Sequence, residues 1–135
     1  MRRILFDTNV ILDVALAREP FHESSLAVWN AAQMGLVNGC VTSSSLTDIC
    51  YIVEKNSSAV QARMIMHDIL RDLELVHVSR ESALLALNPE YPDIEDAMQY
   101  HAAVANNCDA IVTRNVKDFP EGGLPVITPD EFIKG

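Results

Sequence analysis

Short apolar runs alternate with longer amphipathic segments along the whole chain. The runs are four or so residues long and end at polar or turn-forming residues, which is typical of buried strands. We predict strands at residues 3–6, 39–42, 75–78, 110–113 and 125–127. Strands that alternate with helices predict an α/β fold with a central parallel sheet of four or five strands. At 135 residues the chain is expected to form one domain over residues 1–135.

The segments between the runs carry helical spacing and helix-starting residues. Leu46, Ile49, Cys50 and Val53 fall at i, i+3, i+4 and i+7, the spacing of a buried helical face. Hydroxyl and carboxylate side chains stand where N-caps are needed. The predicted helices cover residues 10–16, 23–34 and 92–107. Three more are predicted after their caps: one capped by Thr42 or Ser43, one after residues 56–58, and a short one capped by Ser79. A capping box at 128–131 begins a final helical turn.

The first run ends directly in a carboxylate, at Asp7. In open parallel sheets the carboxyl ends of the strands border the ligand-binding crevice. A buried carboxylate is costly unless it is paired or bound to a cation. Asp7 is therefore a candidate metal ligand.

Further acids follow predicted strand ends or begin predicted helices: Asp48, the pair Asp93 and Asp96, and Asp118 near Asn115. Two carboxylates about 4 Å apart repel by roughly 4 kcal/mol at an effective dielectric of 20. If these acids converge, a hard cation such as Mg²⁺ or Mn²⁺ would hold them together.

Each of these acids also has a purely structural interpretation. Asp93 stands at an N-cap position with Asp96 three residues later, Asp118 can close a turn, and Asp48 can be a solvated helix residue. The remaining acids are interpreted as surface charge: Asp13, Asp68, Asp72, Glu74, Glu81 and Glu90.

Composition limits the possible partners. The net charge is −9, which argues against nonspecific nucleic-acid binding through a broad basic surface. No apolar segment approaches the roughly 20 residues that cross a bilayer, and the N-terminus does not resemble a signal peptide. We therefore expect a cytoplasmic protein with no membrane partner and three reduced cysteines.

Three motifs in order resemble PIN-domain proteins. They are Leu5–Asp13 (LFDTNVILD), Asp93–Tyr100 (DIEDAMQY) and Ala110–Phe119 (AIVTRNVKDF). The likeness is strongest to small bacterial single-domain PIN proteins that act as toxins in toxin–antitoxin pairs. It implies a three-layer α/β/α fold and a metal-dependent ribonuclease.

The resemblance also assigns roles by position. It implies that Asp7, Asp96 and Asp118 hold Mg²⁺ or Mn²⁺, with Asp93 beside them. Asp48 occupies the place of a second catalytic acid that is commonly Glu. The polar residues that orient ligands or substrate are Thr8, Asn9, Thr113 and Asn115. Apart from the resemblance, Arg114 and Lys117 stand beside the late acids and are candidates for phosphate contact, with solvated loop charge as the equal alternative.

The expected function is hydrolysis of RNA phosphodiester bonds by metal-activated water. The expected partners are RNA, a small antitoxin protein and a second copy of the chain in a homodimer. Two alternatives stay open at this point: a PIN-like binding protein without catalysis, and a phosphoacceptor receiver module, which would need an acidic neighbour for Asp7 that the sequence lacks.

Overall fold

A computed structural model describes all 135 residues. It contains five strands and seven α-helices in alternation. The strands are β1 (Arg3–Phe6), β2 (Asn38–Thr42), β3 (Glu74–Val76), β4 (Ala110–Val112) and β5 (Val126–Ile127). The helices are α1 (Thr8–Ala15), α2 (His22–Gln33), α3 (Ser43–Asn56), α4 (Ala59–Asp72), α5 (Arg80–Leu85), α6 (Ile94–Ala105) and α7 (Pro129–Lys134), with a 3-10 turn at Val116–Asp118.

The strands form one parallel sheet in the order β3-β2-β1-β4-β5. The chain moves outward from β1 to β3 and then returns to the other side of β1. The order therefore reverses between β1 and β4, the kind of point at which α/β sheets open a crevice for ligands. Asp7 follows β1 at this point, and its backbone N–H donates to Val112 O of β4 at 3.0 Å.

Successive side chains of β1 point to opposite faces of the sheet, and helices cover each face. Ile4 and Phe6 point into a core shared with α1 to α4, while Leu5 points into a smaller core with α6. All three are fully buried. The predicted α/β/α arrangement with a parallel sheet is confirmed.

Most predicted helix starts coincide with the observed caps. Thr42, Ser58, Ser79 and Asp93 each accept a hydrogen bond from the backbone N–H three residues later, and residues 128–131 form the predicted capping box. The main difference is at α1, which begins at Thr8 rather than residue 10. The helix therefore starts immediately after Asp7, which is its N-cap residue.

Two acids interpreted as surface charge are in fact buried. Asp13 is completely inaccessible, and the Asp72 side chain is only 7% exposed. Asp72 accepts a 2.9 Å hydrogen bond from the indole Nε1 of Trp29 and pairs with Arg71. A buried acid is stable when such partners surround it, and pattern alone does not reveal them.

None of the helices has both the length and the apolar character that crossing a membrane requires.

Candidate active site at the carboxyl edge of the sheet

Asp7 is held by hydrogen bonds from two elements that are distant in sequence. Its side chain is 3% exposed. Oδ2 accepts a 2.9 Å hydrogen bond from Oγ1 of Thr113, just after β4, and Oδ1 accepts one of the same length from Nε2 of Gln99 in α6. Burial raises the pKa of Asp7, and these two hydrogen bonds oppose the rise. The carboxylate is thus fixed in place by donors to both oxygens.

Gln99 joins two carboxylates and was missed by the sequence analysis. Its Nε2 donates to Asp7 and also reaches Asp96 Oδ1 at 3.5 Å. Gln99 is 5% exposed, and its Oε1 is buried without a hydrogen-bond partner. The available signal was a polar residue on the face of α6 that packs against the sheet, three residues after Asp96.

Asp96 lies at the centre of the acidic group. Partial burial, followed by the charges of Asp7, Asp93, Asp118 and Glu95 in that order, raises the pKa of Asp96 to about 8. Asp93 Oδ1 caps α6 by accepting from the Asp96 backbone N–H at 2.9 Å. The structural interpretation of Asp93 is therefore correct, and the same carboxylate still adds negative charge next to Asp96.

Asp118 reaches the group from the 3-10 turn after β4. The turn is connected to Asp7 through Thr113, whose Oγ1 donates to Asp7 and accepts from the backbone N–H of Asn115 at 3.0 Å. Asp118 is among the charges that raise the pKa of Asp96. Asp7, Asp96 and Asp118 are thereby brought to one edge of the sheet by three separate elements.

Asp48 lies farther out, at the rim of the site. Its side chain is exposed on α3, and it is not among the charges that chiefly raise the pKa of Asp96. It lines a cavity of about 330 Å³ together with six other residues, namely Thr8, Ser44, Ser45, Glu95, Met98 and Gln99. Within that wall the Thr8 and Ser45 hydroxyls are hydrogen bonded at 2.7 Å. The cavity connects Asp48 with the Gln99 side of the acidic group.

Arg114 is engaged by another residue of this chain. It forms a two-point ion pair with Asp13, with Nε to Oδ2 at 2.8 Å and Nη2 to Oδ1 at 2.9 Å. Its guanidinium also lies 4.0 Å from the ring centroid of Phe21. Asp13 was predicted to be surface charge, and that prediction is wrong because Asp13 is the buried partner of Arg114. The signal was an acid within the continuous apolar run of α1, where every side of the helix is covered.

The other predicted polar residues occupy different settings. Asn9 Oδ1 accepts a long 3.4 Å hydrogen bond from Nη1 of Arg18. Asn115 is half-buried before the 3-10 turn, and Lys117 is exposed within it. Lys117 is thus accessible to a ligand from solvent, whereas Arg114 is held by Asp13.

The donor set fits a hard divalent cation by its chemistry. Carboxylate and amide oxygens are the ligands that Mg²⁺ and Mn²⁺ prefer, and mutual repulsion among these acids is what a cation relieves. No three His, Cys, Asp or Glu side chains lie close enough together to coordinate one metal ion as they stand. The fit therefore rests on the type of donor and the raised pKa of Asp96, and not on ready-made coordination geometry.

Comparison with known proteins identifies the family to which the chain belongs. A model of the PIN domain matches residues 3–117. The chain belongs to the PIN-domain family. The match covers all three motifs up to Lys117, and membership leaves no support for the receiver-module alternative.

Several known proteins resemble the chain over nearly its full length. Ribonuclease VapC1 of Aquifex aeolicus is 27% identical over 139 residues, which covers 98% of this chain and 94% of that protein. DNA-bound VapBC from Salmonella typhimurium has a TM-score of 0.69 at 17% identity, with 96% of this chain and 99% of that chain covered. A toxin–antitoxin complex from Klebsiella pneumoniae has a TM-score of 0.68 at 23% identity, covering 93% and 97%. At these identities the structural likenesses confirm the PIN fold.

Proposed function

We propose that this chain is a divalent-metal-dependent endoribonuclease. One observation carries the proposal: Asp96 lies near Asp7, Asp93 and Asp118 at the sheet edge, and its partial burial together with their charges raises its pKa to about 8. Such a group is unfavourable for folding by itself and is suited to a cation. A ribonuclease relative over 98% of the chain supports RNA as the substrate.

The acidic residues divide into two roles in this proposal. Asp7, Asp96 and Asp118 hold Mg²⁺ or Mn²⁺ directly, while Asp93 and the exposed Asp48 act at its edge, directly or through water. When bound, the metal supplies an activated water and stabilises negative charge on the phosphate. Water as the nucleophile means that no covalent intermediate forms on the protein.

The other residues of the chain position these acids. Gln99 and Thr113 donate to the two oxygens of Asp7 and hold its carboxylate in one orientation. Thr113 also orders the loop that carries Asp118 by accepting from the Asn115 N–H. Fixed ligands lower the cost of reaching the reactive geometry, so these contacts are expected to contribute to rate.

We further propose that the protein acts as the toxin of a toxin–antitoxin pair. Two of its structural relatives are toxin–antitoxin assemblies and align over more than nine-tenths of this chain. The expected partners are a small antitoxin protein that covers the acidic site and a second copy of this chain. A neighbouring gene that encodes a small protein would identify the antitoxin for co-expression.

A cleavage assay tests the proposed activity. Purified protein is incubated with mixed-sequence RNA oligonucleotides in Mg²⁺ or Mn²⁺, beside an EDTA control and the Asp7→Asn variant. We expect endonucleolytic products only with the unsubstituted protein and metal. Cleavage that persists in EDTA or in Asp7→Asn would refute the metal–carboxylate mechanism. A protein that cleaves no RNA under any of these conditions would favour the non-catalytic binding protein.

A further inference from the structure

Arg18 is a cation near the first turn of α1 whose hydrogen-bonding capacity is largely unused. It follows α1, and its side chain is 33% exposed. Its Nη1 lies 3.4 Å from Asn9 Oδ1 and 4.0 Å from Asp13 Oδ1. The first distance is at the outer limit of a hydrogen bond and the second is beyond it. A guanidinium has five N–H donors, so most of them have no protein acceptor.

Asp13 cannot serve as the full partner of Arg18 because Arg114 already occupies it. Both Asp13 oxygens accept short hydrogen bonds from Arg114, and Oδ2 also accepts from Ser25 Oγ at 3.3 Å. One buried carboxylate therefore faces two guanidinium groups. The group of Asp13, Arg114 and Arg18 carries one positive charge in excess, in a chain whose net charge is −9.

This group of three is joined to the proposed reaction site through Arg114, which directly follows Thr113, the donor to Asp7 Oδ2. Asn9 stands two residues after Asp7 in the first turn of α1, and its half-buried amide accepts from Arg18 through Oδ1. No protein group accepts from the Asn9 amide nitrogen. Arg18 and Asn9 thus present a charged donor and a neutral donor side by side, the combination that binds phosphate oxygens.

We propose that Arg18, assisted by Asn9, binds a backbone phosphate of single-stranded RNA next to the phosphate that is cleaved. The proposal rests on the ribonuclease function proposed above and assigns the phosphate contact to a residue that the sequence motifs did not indicate. It also gives an acidic protein a cation for RNA, because Arg114 already neutralises Asp13 and leaves the charge of Arg18 available.

RNA binding at several salt concentrations tests this site. A labelled mixed-sequence RNA oligonucleotide is titrated with the Asp7→Asn protein in Mg²⁺, so that cleavage does not deplete it. The variants are Arg18→Gln and Arg18→Lys in the Asp7→Asn background. Arg2→Gln in the same background is the matched control, because Arg2 is exposed at the opposite end of β1 and loses the same charge.

Arg18→Gln is expected to weaken RNA binding roughly tenfold at low salt. The slope of log Kd against log salt should fall by about 0.7, the value for one phosphate contact on a single strand. Arg18→Lys should keep the slope and lose part of the affinity, since it retains the charge but not the planar fork. Arg2→Gln should match the Asp7→Asn protein.

Equal affinity and slope for the Arg18→Gln and Arg2→Gln proteins would overturn the phosphate site. Cleavage by the unsubstituted protein, measured in parallel, separates this failure from failure of the proposed function. If that protein cleaves RNA and the Arg18 variants bind normally, only the phosphate site is wrong. If it neither binds nor cleaves RNA, both proposals fail. Thermal melting of each variant verifies folding, and Arg18→Lys retains the test if Arg18→Gln unfolds.

Discussion

Gln99 is 92 residues from Asp7 in the chain, yet its Nε2 donates a 2.9 Å hydrogen bond to Oδ1 of Asp7. The same nitrogen reaches Asp96, so one neutral amide connects the two central acids. The amide orientation is dictated by its surroundings, because a flipped side chain would place Oε1 against a carboxylate. The orientation that serves Asp7 leaves Oε1 buried and unpaired. An apolar side chain of similar length would avoid that cost.

We predict that Gln99→Met lowers the rate of RNA cleavage with little change in the stability of the fold. Losing a hydrogen bond to a charged group costs about 1.5–3 kcal/mol, while removing a buried unpaired oxygen returns about 1–3 kcal/mol. These two contributions largely offset each other, so the free energy of unfolding should change by less than about 2 kcal/mol. Cleavage of RNA should fall roughly tenfold, because Asp7 loses one of its two fixed donors. Urea unfolding and initial cleavage rates measure the two effects.

Gln33→Met is the control for this prediction, since Gln33 is exposed at the end of α2. It should leave both quantities unchanged. If Gln99→Met instead destabilises the protein strongly and keeps full activity, Gln99 only supports the fold.

Arg114→Met should destabilise the protein through Asp13. The substitution leaves a completely buried carboxylate with Ser25 and a distant Arg18 as its remaining partners. Breaking a buried ion pair on one side costs about 3–5 kcal/mol, and the partial exposure of Arg114 places the expected loss near the lower value. Chemical unfolding of the variant measures it. Removing the exposed Lys117 in the same loop, as Lys117→Met, should cost less than about 0.5 kcal/mol. Equal small losses for both variants would contradict the structural role of the Asp13–Arg114 pair.

The stability of the metal-free protein should decrease as pH rises from 3.8 to about 8. Burial and neighbouring acids raise the pKa of Asp96 from 3.8 to about 8, and burial raises the pKa of Asp7. The folded state therefore binds protons more tightly than the unfolded state. That stabilisation is complete below pH 3.8 and is lost as pH rises through about 8. Urea unfolding in EDTA between pH 5.5 and 8.5 should show the decrease.

Asp96→Asn should flatten this pH dependence because the amide does not titrate. Asp68→Asn, on α4 and half-exposed, should leave it as in the unsubstituted protein. Stability that rises with pH over this range would show that the acids do not repel one another as the structure indicates.

The sequence predicted the sheet and the main acids because both follow from local signals. A short apolar run that ends in an acid is visible in residues 3–7, and caps such as Thr42 and Ser79 are specified within four residues. Gln99 and Asp13 were missed because their importance depends on partners about ninety and one hundred residues away. A polar residue on a buried helix face indicates only that it has a hydrogen-bonding or ionic partner. The fold determines which residue that partner is.

Asp48→Ala should reduce cleavage less than Asp7→Asn does. Asp48 is exposed at the rim of the cavity, whereas Asp7 is 3% exposed and fixed by two hydrogen bonds. We expect a loss of roughly tenfold for Asp48→Ala and of at least a hundredfold for Asp7→Asn, as for groups at the edge and the centre of a metal site. Initial cleavage rates at saturating Mn²⁺ distinguish them. A complete loss with Asp48→Ala would place that acid among the direct ligands.

Calorimetric titration of Mn²⁺ into the metal-free protein, without RNA, measures whether the acidic group binds a divalent cation. We expect saturable binding by the unsubstituted protein and by Asp68→Asn. We also expect at least tenfold weaker binding by Asp7→Asn and Asp96→Asn, each of which removes one central carboxylate. A protein that takes up no Mn²⁺, or Asp7→Asn and Asp96→Asn variants that bind as tightly as the unsubstituted chain, would contradict the proposed metal site.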